Sequence, residues 1–125
     1  MSVKSYHDLI VWQKSILNVN EVYKFTKPFP EDEKFGLVSQ MRRSSVSIPS
    51  NIAEGWGRFY YKENIKFLLN SRGSVAEILD HSIEAKTWDY ISDEVLQEIR
   101  TQTDSCTRLI NGYIKYLRKQ NDQEK

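Results

Sequence analysis

The sequence predicts an all-α protein: an antiparallel, up-down-up-down four-helix bundle with a proline-kinked second helix. Three observations lead there. Apolar residues recur at alternating steps of three and four along most of the chain, the rhythm of amphipathic helices. No segment keeps the two-residue alternation of a half-buried strand. The 5 glycines and 3 prolines are few, with Pro28 and Pro30 at one break and Gly55 and Gly57 at another, while Gly36, Gly73 and Gly112 stand alone within helical patterns; short connections between long helices favour antiparallel neighbours. A chain of 125 residues suits one domain around one core. Residues 1–125 are therefore read as a single bundle with helices at about 8–25, 31–55, 62–88 and 93–119.

In the first helix, Leu9, Trp12, Ile16, Val19 and Tyr23 form one stripe, widened by Ile10, Leu17 and Val22. Asp8 suits the positive N-terminal end of that helix. The turn Thr26-Lys27-Pro28-Phe29-Pro30 ends it, and the acidic run Glu31, Asp32 and Glu33 suits the start of the second. There Val38, Met41, Ser45, Ile48, Ile52, Gly55 and Phe59 keep a core-facing register straight through Pro49. An interior proline costs about 3 kcal/mol, so a helix that keeps its register across one is expected to be kinked and held by neighbours. Ser44, Ser45, Ser47 and Ser50 are expected to allow close helix approach and to satisfy the carbonyls that Pro49 frees.

The third helix carries Ile65, Leu68, Leu69, Val75, Ile78, Leu79 and Ile83. Phe67 and Ile78 lie on a different flank from Leu69, Ala76 and Ile83, and Gly73 allows close approach to the backbone. Such broad faces fit either a bundle with wide helix faces or a second, intermolecular surface. The fourth helix opens with Ser92 as N-cap and Asp93 and Glu94 in its first turn. Its stripe is Leu96, Ile99, Thr103, Cys106, Leu109 or Ile110, Tyr113 and Leu117, and Lys115, Arg118 and Lys119 suit its C-terminal end.

Composition is that of an ordinary globular domain, with 39% hydrophobic and 28% charged residues. A net charge of +1 gives no global pull toward nucleic acid or anionic lipid, so such a role needs local segregation of charge. The single cysteine, Cys106, allows no intramolecular disulfide and fits a reducing compartment. With no signal-like segment and no apolar run of membrane-spanning length, the expected location is cytoplasmic, with no membrane partner.

Catalytic and metal motifs are missing. Di-iron bundles use Glu-x-x-His pairs, but Ile78 stands three residues before His81, and His7 is the other histidine. Glu77, Asp80, His81 and Glu84 read as a solvated face with support between Glu77 and His81. Cys106 lacks zinc-type partners and sits in an apolar stripe. The serines lack a nucleophile-elbow context, and Gly55-Trp56-Gly57 is not a phosphate loop. The chain reads as no enzyme, with no cofactor and no metal.

Binding chemistry remains. Arg43, Ser47, Asn51, Glu54 and Arg58 form a polar stripe on the second helix, with Arg42 and Ser50 beside it. Hydroxyls, amides and guanidinium groups are what phosphate and sugar contacts use. Tyr60 and Tyr61 with Lys62 add aromatic faces beside charge, and Lys115, Arg118 and Lys119 add a basic cluster on the fourth helix. A symmetric oligomer would repeat each cluster around an axis.

Phe35-Gly36-Leu37, Ser39-Gln40-Met41-Arg42-Arg43 and Ser47-Ile48-Pro49-Ser50-Asn51-Ile52-Ala53-Glu54-Gly55 resemble the signature of a four-helix-bundle family. That family is named for proteins encoded by intervening sequences within bacterial 23S ribosomal RNA genes, and is also labelled S23 ribosomal protein. The likeness extends to Pro30-Glu31, Lys62-Glu63, Ser74-Val75-Ala76-Glu77 and Leu109-Ile110-Asn111-Gly112-Tyr113-Ile114. Tyr60-Tyr61 departs from it, standing where a Ser- or Thr-type cap is usual, as does Asp80-His81-Ser82. The resemblance implies a homopentameric ring that binds RNA or DNA, and in some relatives an accessory role to a reverse transcriptase. By matching position it makes Arg42, Arg43 and Arg58 nucleic-acid contacts, with Lys62, Lys115, Arg118 and Lys119 as further basic candidates; Ser47, Pro49, Asn51, Glu54 and Gly55 belong to the shared motif. The alternative is a protein-interaction scaffold that docks a partner such as a polymerase without touching nucleic acid.

Overall fold

The computed structural model describes residues 3–124. A 3-10 turn (Tyr6–Asp8) leads into α1 (Ile10–Thr26); a second 3-10 turn (Glu31–Glu33) precedes α2 (Leu37–Trp56), which is followed by α3 (Tyr61–Thr87) and α4 (Asp93–Gln123). Among the described residues there is no strand. Helix α1 packs on α2 and α4, and α3 packs on the same two, so the four helices stand in a square with the core along its axis. Ser44 meets Glu77, Ser47 meets Ser74, and the Ile48 carbonyl meets Ser71. Numbers rise on α2 as they fall on α3, so these two helices run in opposite directions. Arg72 with Asn111 and Tyr61 with Glu124 give the same result for α3 and α4.

The α2 stripe is buried as its spacing requires: Val38, Met41, Ser45, Ile48, Ile52 and Gly55 all face the core. Phe59 does not. The helix stops at Trp56, and Phe59 lies in the following connection, 90% exposed. In α4, Ile99, Thr103, Cys106, Ile110, Ile114 and Leu117 are buried, which places Ile110 rather than Leu109 in the core. Ser92 caps that helix by accepting from the Val95 N–H at 3.2 Å.

Helix α1 is rotated from its apolar stripe. The residues it buries are Val11, Ser15, Asn18, Val22 and Thr26, while Trp12, Ile16 and Val19 are half-buried and Tyr23 is exposed. Asn18 Nδ2 donates to Gln102 Oε1 of α4 at 3.4 Å, whereas Ser15 and Thr26 tolerate burial by bonding their own helix. Ser15 Oγ donates to the Val11 carbonyl at 2.6 Å, and Thr26 Oγ1 to the Val22 carbonyl at 2.8 Å. Their small size lets α1 approach, and its bulky residues are displaced onto the flank it shares with α2. Leu69 and Ile83 of the third-helix set are likewise partly exposed, at 37% and 40%.

Three boundaries move. The acidic run Glu31–Glu33 makes a separate 3-10 turn, and α2 begins at Leu37 because Gly36 adopts a non-helical φ −106°, ψ −110°. Glu33 still serves α2, since its carboxylate accepts from the Leu37 N–H at 3.4 Å. At the other limit α4 runs on to Gln123, beyond the expected residue 119. Asp8 belongs to the first 3-10 turn, where its carboxylate accepts from the Lys4 and Ser5 N–H groups at 2.9 and 3.2 Å.

Around Pro49 the hydroxyls act differently from expectation. A proline at 49 deprives the Ser45 carbonyl of its helical donor. The hydroxyls of Ser45, Ser47 and Ser50 instead donate to the carbonyls of Arg42, Ser44 and Val46. None among the described residues reaches the Ser45 carbonyl. Of the four serines, Ser44 and Ser47 reach α3, at Glu77 and Ser74, and Ser71 of α3, fully buried, donates across the same seam to the Ile48 carbonyl at 2.8 Å.

Candidate nucleic-acid interface

One end of the bundle gathers the α2–α3 connection, the first turns of α1 and α3 and the last turns of α4. A cavity of about 370 Å³ opens there, walled by Leu9, Trp56, Tyr61, Asn64, Tyr113 and Leu117 and rimmed by Arg58, Phe59, Tyr60 and Tyr116. Phe59 and Tyr60 meet edge to face at 5.0 Å, and the rings of Tyr113 and Tyr116 lie 6.3 Å apart and nearly parallel, at 17°. The Tyr61 hydroxyl donates to Glu124 Oε1 at 2.9 Å, which fixes that ring and holds its phenol above the usual pKa. Burial pushes the Tyr113 phenol up as well.

The basic residues do not form one surface. Lys62, Lys115, Arg118 and Lys119 are exposed at this end, and no carboxylate among the described residues lies within ion-pair distance of them. Arg58 is at the same end but engaged: its guanidinium is 2.6 Å from Glu54 Oε1 and lies over the Phe67 ring at 4.8 Å. Arg42 and Arg43 sit about 20 Å away along α2, judging from the 1.5 Å rise per residue. Arg43 is exposed. Arg42 is a tie between helices. Its Nε donates to Thr26 Oγ1 at 2.9 Å, its Nη2 to the Tyr23 carbonyl at 3.4 Å, and its guanidinium covers the Tyr23 ring at 4.5 Å.

The polar stripe of α2 is divided in the same way. Ser47 shares a hydrogen bond with Ser74 of α3, Ser44 donates to Glu77 Oε2 at 2.8 Å, and Asn51 Nδ2 donates back to the Ser47 carbonyl at 2.8 Å. These residues form a helix–helix seam; Arg43, Glu54 and Arg58 of the stripe remain at the surface. Gly55 has a steric role in the seam. A Cβ there would stand 2.6 Å from Asn64 Oδ1 and 3.0 Å from Phe67 Cβ. Gly73, by contrast, has nothing within 4 Å of its would-be Cβ inside one chain.

The Glu77–His81 support expected on α3 is replaced by other pairs: Glu77 bonds Ser44, and His81 Nδ1 lies 3.3 Å from Glu84 Oε2. Asp80, His81 and Glu84 bring ligand-type atoms within 4.8 Å of one another, with both carboxylates exposed. Cys106 is 2% exposed, and burial pushes its thiol up, which keeps it protonated and a weak nucleophile. No helix is long and apolar enough to cross a membrane.

With the bundle and its signature residues in place, the comparison with known proteins is direct. The sequence matches the 23S rRNA-intervening sequence protein family over residues 7–112. The chain belongs to that family. A solved structure from Bacteroides thetaiotaomicron, a protein of unknown function from the S23 ribosomal protein family, superposes with a TM-score of 0.75 at 24% identity, covering 85% of this chain and 99% of that one. At that identity the likeness speaks to fold. No match was found among curated proteins. Within the family frame, Tyr60 is informative: it is the N-cap of α3 and supplies no side-chain acceptor, leaving the first N–H groups of that helix uncapped at the aromatic end. Sequence reading picked out Tyr60, Tyr61 and Lys62 but missed Tyr116. The signal was there, since Tyr113 and Tyr116 are three apart on one helix and flank Lys115.

Proposed function

We propose that the chain is a non-catalytic, homo-oligomeric bundle that binds RNA or other nucleic acid through phosphate contacts. The observation that carries this reading is the segregation of charge along the bundle. Lys62, Lys115, Arg118 and Lys119 stand at one end with no carboxylate among the described residues within ion-pair distance, while Glu31, Asp32, Glu84, Asp89, Asp93 and Glu94 collect at the other. A net charge near zero therefore conceals a basic pole. Arg58 sits at its margin, Arg43 forms a separate patch, and Arg42 acts in packing.

Self-association is supported by a cleft of about 290 Å³ between α1 and α2, lined by Tyr6, Trp12, Ile16, Val19, Val46, Pro49 and Ala53. Of these, Trp12, Ile16 and Val19 are the apolar residues that the rotation of α1 leaves half-covered. A ring of copies, a pentamer by the family resemblance, would place several basic poles around one axis, and their fields would add.

The test is a salt series of binding to a single-stranded RNA. Replacing Lys115, Arg118 and Lys119 together by Gln is expected to weaken binding and reduce the slope of log K against log salt by about 2. An unchanged slope would reject the basic pole as the phosphate site. A second reading is a scaffold that docks a protein partner such as a polymerase or reverse transcriptase, favoured by Phe35 and Trp88, 89% and 68% exposed at the acidic end. Isolation of the native protein separates the two. Bound RNA favours the first, and a stoichiometric protein free of nucleic acid the second.

A further inference from the structure

We infer that the basic pole is selective for single strands: unpaired bases stack on the aromatic rim while the surrounding cations hold the flanking phosphates. This rests on the nucleic-acid reading above and names the ligand that reading leaves open.

Phosphate contacts alone favour duplexes at least as well as single strands, since a duplex carries the denser charge. What distinguishes a single strand is its exposed base faces, which proteins bind with aromatic side chains. Three aromatic residues lie open at this end among the described residues: Phe59 at 90% exposure, Tyr60 at 63% and Tyr116 at 55%. Rings this exposed are not needed to fill the core. They are nevertheless held in place from behind. Tyr116 lies against Tyr113, whose phenol is half-buried, and Phe59 is set against Tyr60 in the short connection that α2 and α3 fix from both sides. The cavity between the two aromatic groups, about 370 Å³, is floored by Trp56, Tyr61 and Leu117, all at least half-buried.

The charges suit the strand. Lys115 adjoins Tyr116 in sequence, Arg118 and Lys119 follow within the next turn, and Lys62 is in the first turn of α3. A phosphate beside a base stacked on Tyr60 would also meet the uncapped N–H groups that open α3. The carboxylates at this end include Glu124, engaged by the Tyr61 hydroxyl, Glu54, paired with Arg58, and Glu63, exposed in the first turn of α3.

The experiment compares binding of the full chain to a single-stranded oligonucleotide of about 16 nucleotides and to the blunt duplex of the same sequence, in ribo and deoxy forms. A 2-aminopurine placed mid-strand reports stacking through its fluorescence. The expected result is tighter binding of the single strand, in one or both chemistries, with quenching of the probe. Phe59→Ala with Tyr116→Ala should weaken single-strand binding about tenfold or more and abolish the quenching, with the salt slope unchanged. Lys115→Gln, Arg118→Gln and Lys119→Gln should instead flatten the slope. Both sets change exposed side chains, and a circular dichroism spectrum matching the parent verifies that the bundle is retained. Equal binding of strand and duplex, with the aromatic variant indistinguishable from the parent, would overturn the stacking inference and leave the phosphate reading standing. Failure to bind either form would overturn both.

Discussion

At the residue scale, Gly55 is the position where the absence of a side chain matters most. Asn64 and Phe67 of α3 occupy the space a methyl group would need, at 2.6 and 3.0 Å. Gly55→Ala is expected to destabilise the fold by about 1–3 kcal/mol, read by urea unfolding. Gly112→Ala, an exposed helical site with nothing within 4 Å, is expected to stabilise by roughly 0.5–1 kcal/mol, since alanine is the better helix former. Two tyrosines, Tyr61 beside Glu124 and Tyr90 beside Glu33, have phenols raised by hydrogen bonds to carboxylates and by the nearby negative charge. The folded state thus favours the neutral phenol, and the sign follows. Their stabilising contribution is complete below the ordinary tyrosine pKa of about 10 and disappears as pH rises through the raised values. Unfolding measured between about pH 9 and pH 11 should lose stability less steeply in Tyr61→Phe with Tyr90→Phe than in the parent. Cys106 and Tyr113, raised by burial, leave a residual slope of the same sign. The pattern made the importance of Gly55 legible through its place on the α2 stripe. It did not announce that the neighbour is Asn64, because a contact between residues on two helices has no signature in either one.

At the element scale, α2 accepts Pro49 inside a helix whose core register is otherwise unbroken. Local preference alone would end the helix there; burial of Met41, Ile48 and Ile52 in the core, with α2 packed on α1 and α3, outweighs it. Pro49→Ala should therefore keep the fold and raise the unfolding free energy by about 1 kcal/mol, the proline penalty less the contribution of its buried ring. Scattering mass measured on the same sample tells whether the local shape of α2 also directs assembly: an unchanged mass assigns Pro49 to α2 alone. The elements most faithful to their sequence are α2 and α4, where one apolar face dominates. Helix α1 is least so. Leu9, Trp12, Ile16 and Val19 and the set Val11, Val22 with Ser15 and Asn18 are about 100° apart, and both are plausible inner faces. Volume decided between them, since a tight seam takes serine and asparagine more readily than tryptophan.

At the scale of the whole molecule, the half-covered apolar flank and the charged poles are the features that the proposed self-association and nucleic-acid binding would use. Val46→Asp places a carboxylate in the α1–α2 cleft at a residue 42% exposed, so the fold should survive while the oligomer mass by light scattering falls toward that of one copy. An unchanged mass would place the self-contact elsewhere. The seven basic residues picked out by sequence are sorted only here. Helical spacing puts Arg43 and Arg58 on one stripe, yet they lie near opposite ends of α2, while Lys62 and Lys115, far apart in sequence, come to one pole because α3 begins where α4 ends.

The sequence by itself determined the helices, their approximate bounds, the inner faces of α2 and α4, and the family, because periodicity and a contiguous signature are properties of neighbours along the chain. Tertiary structure alone decided which face of α1 turns inward, that Ser44 and Ser47 bond α3 instead of meeting solvent, that Arg42 is spent on packing, and that aromatic and basic residues from three segments share one end. Each of these depends on which helices lie side by side and at what depth, and that is settled by the volumes and hydrogen bonds of residues far apart in the chain.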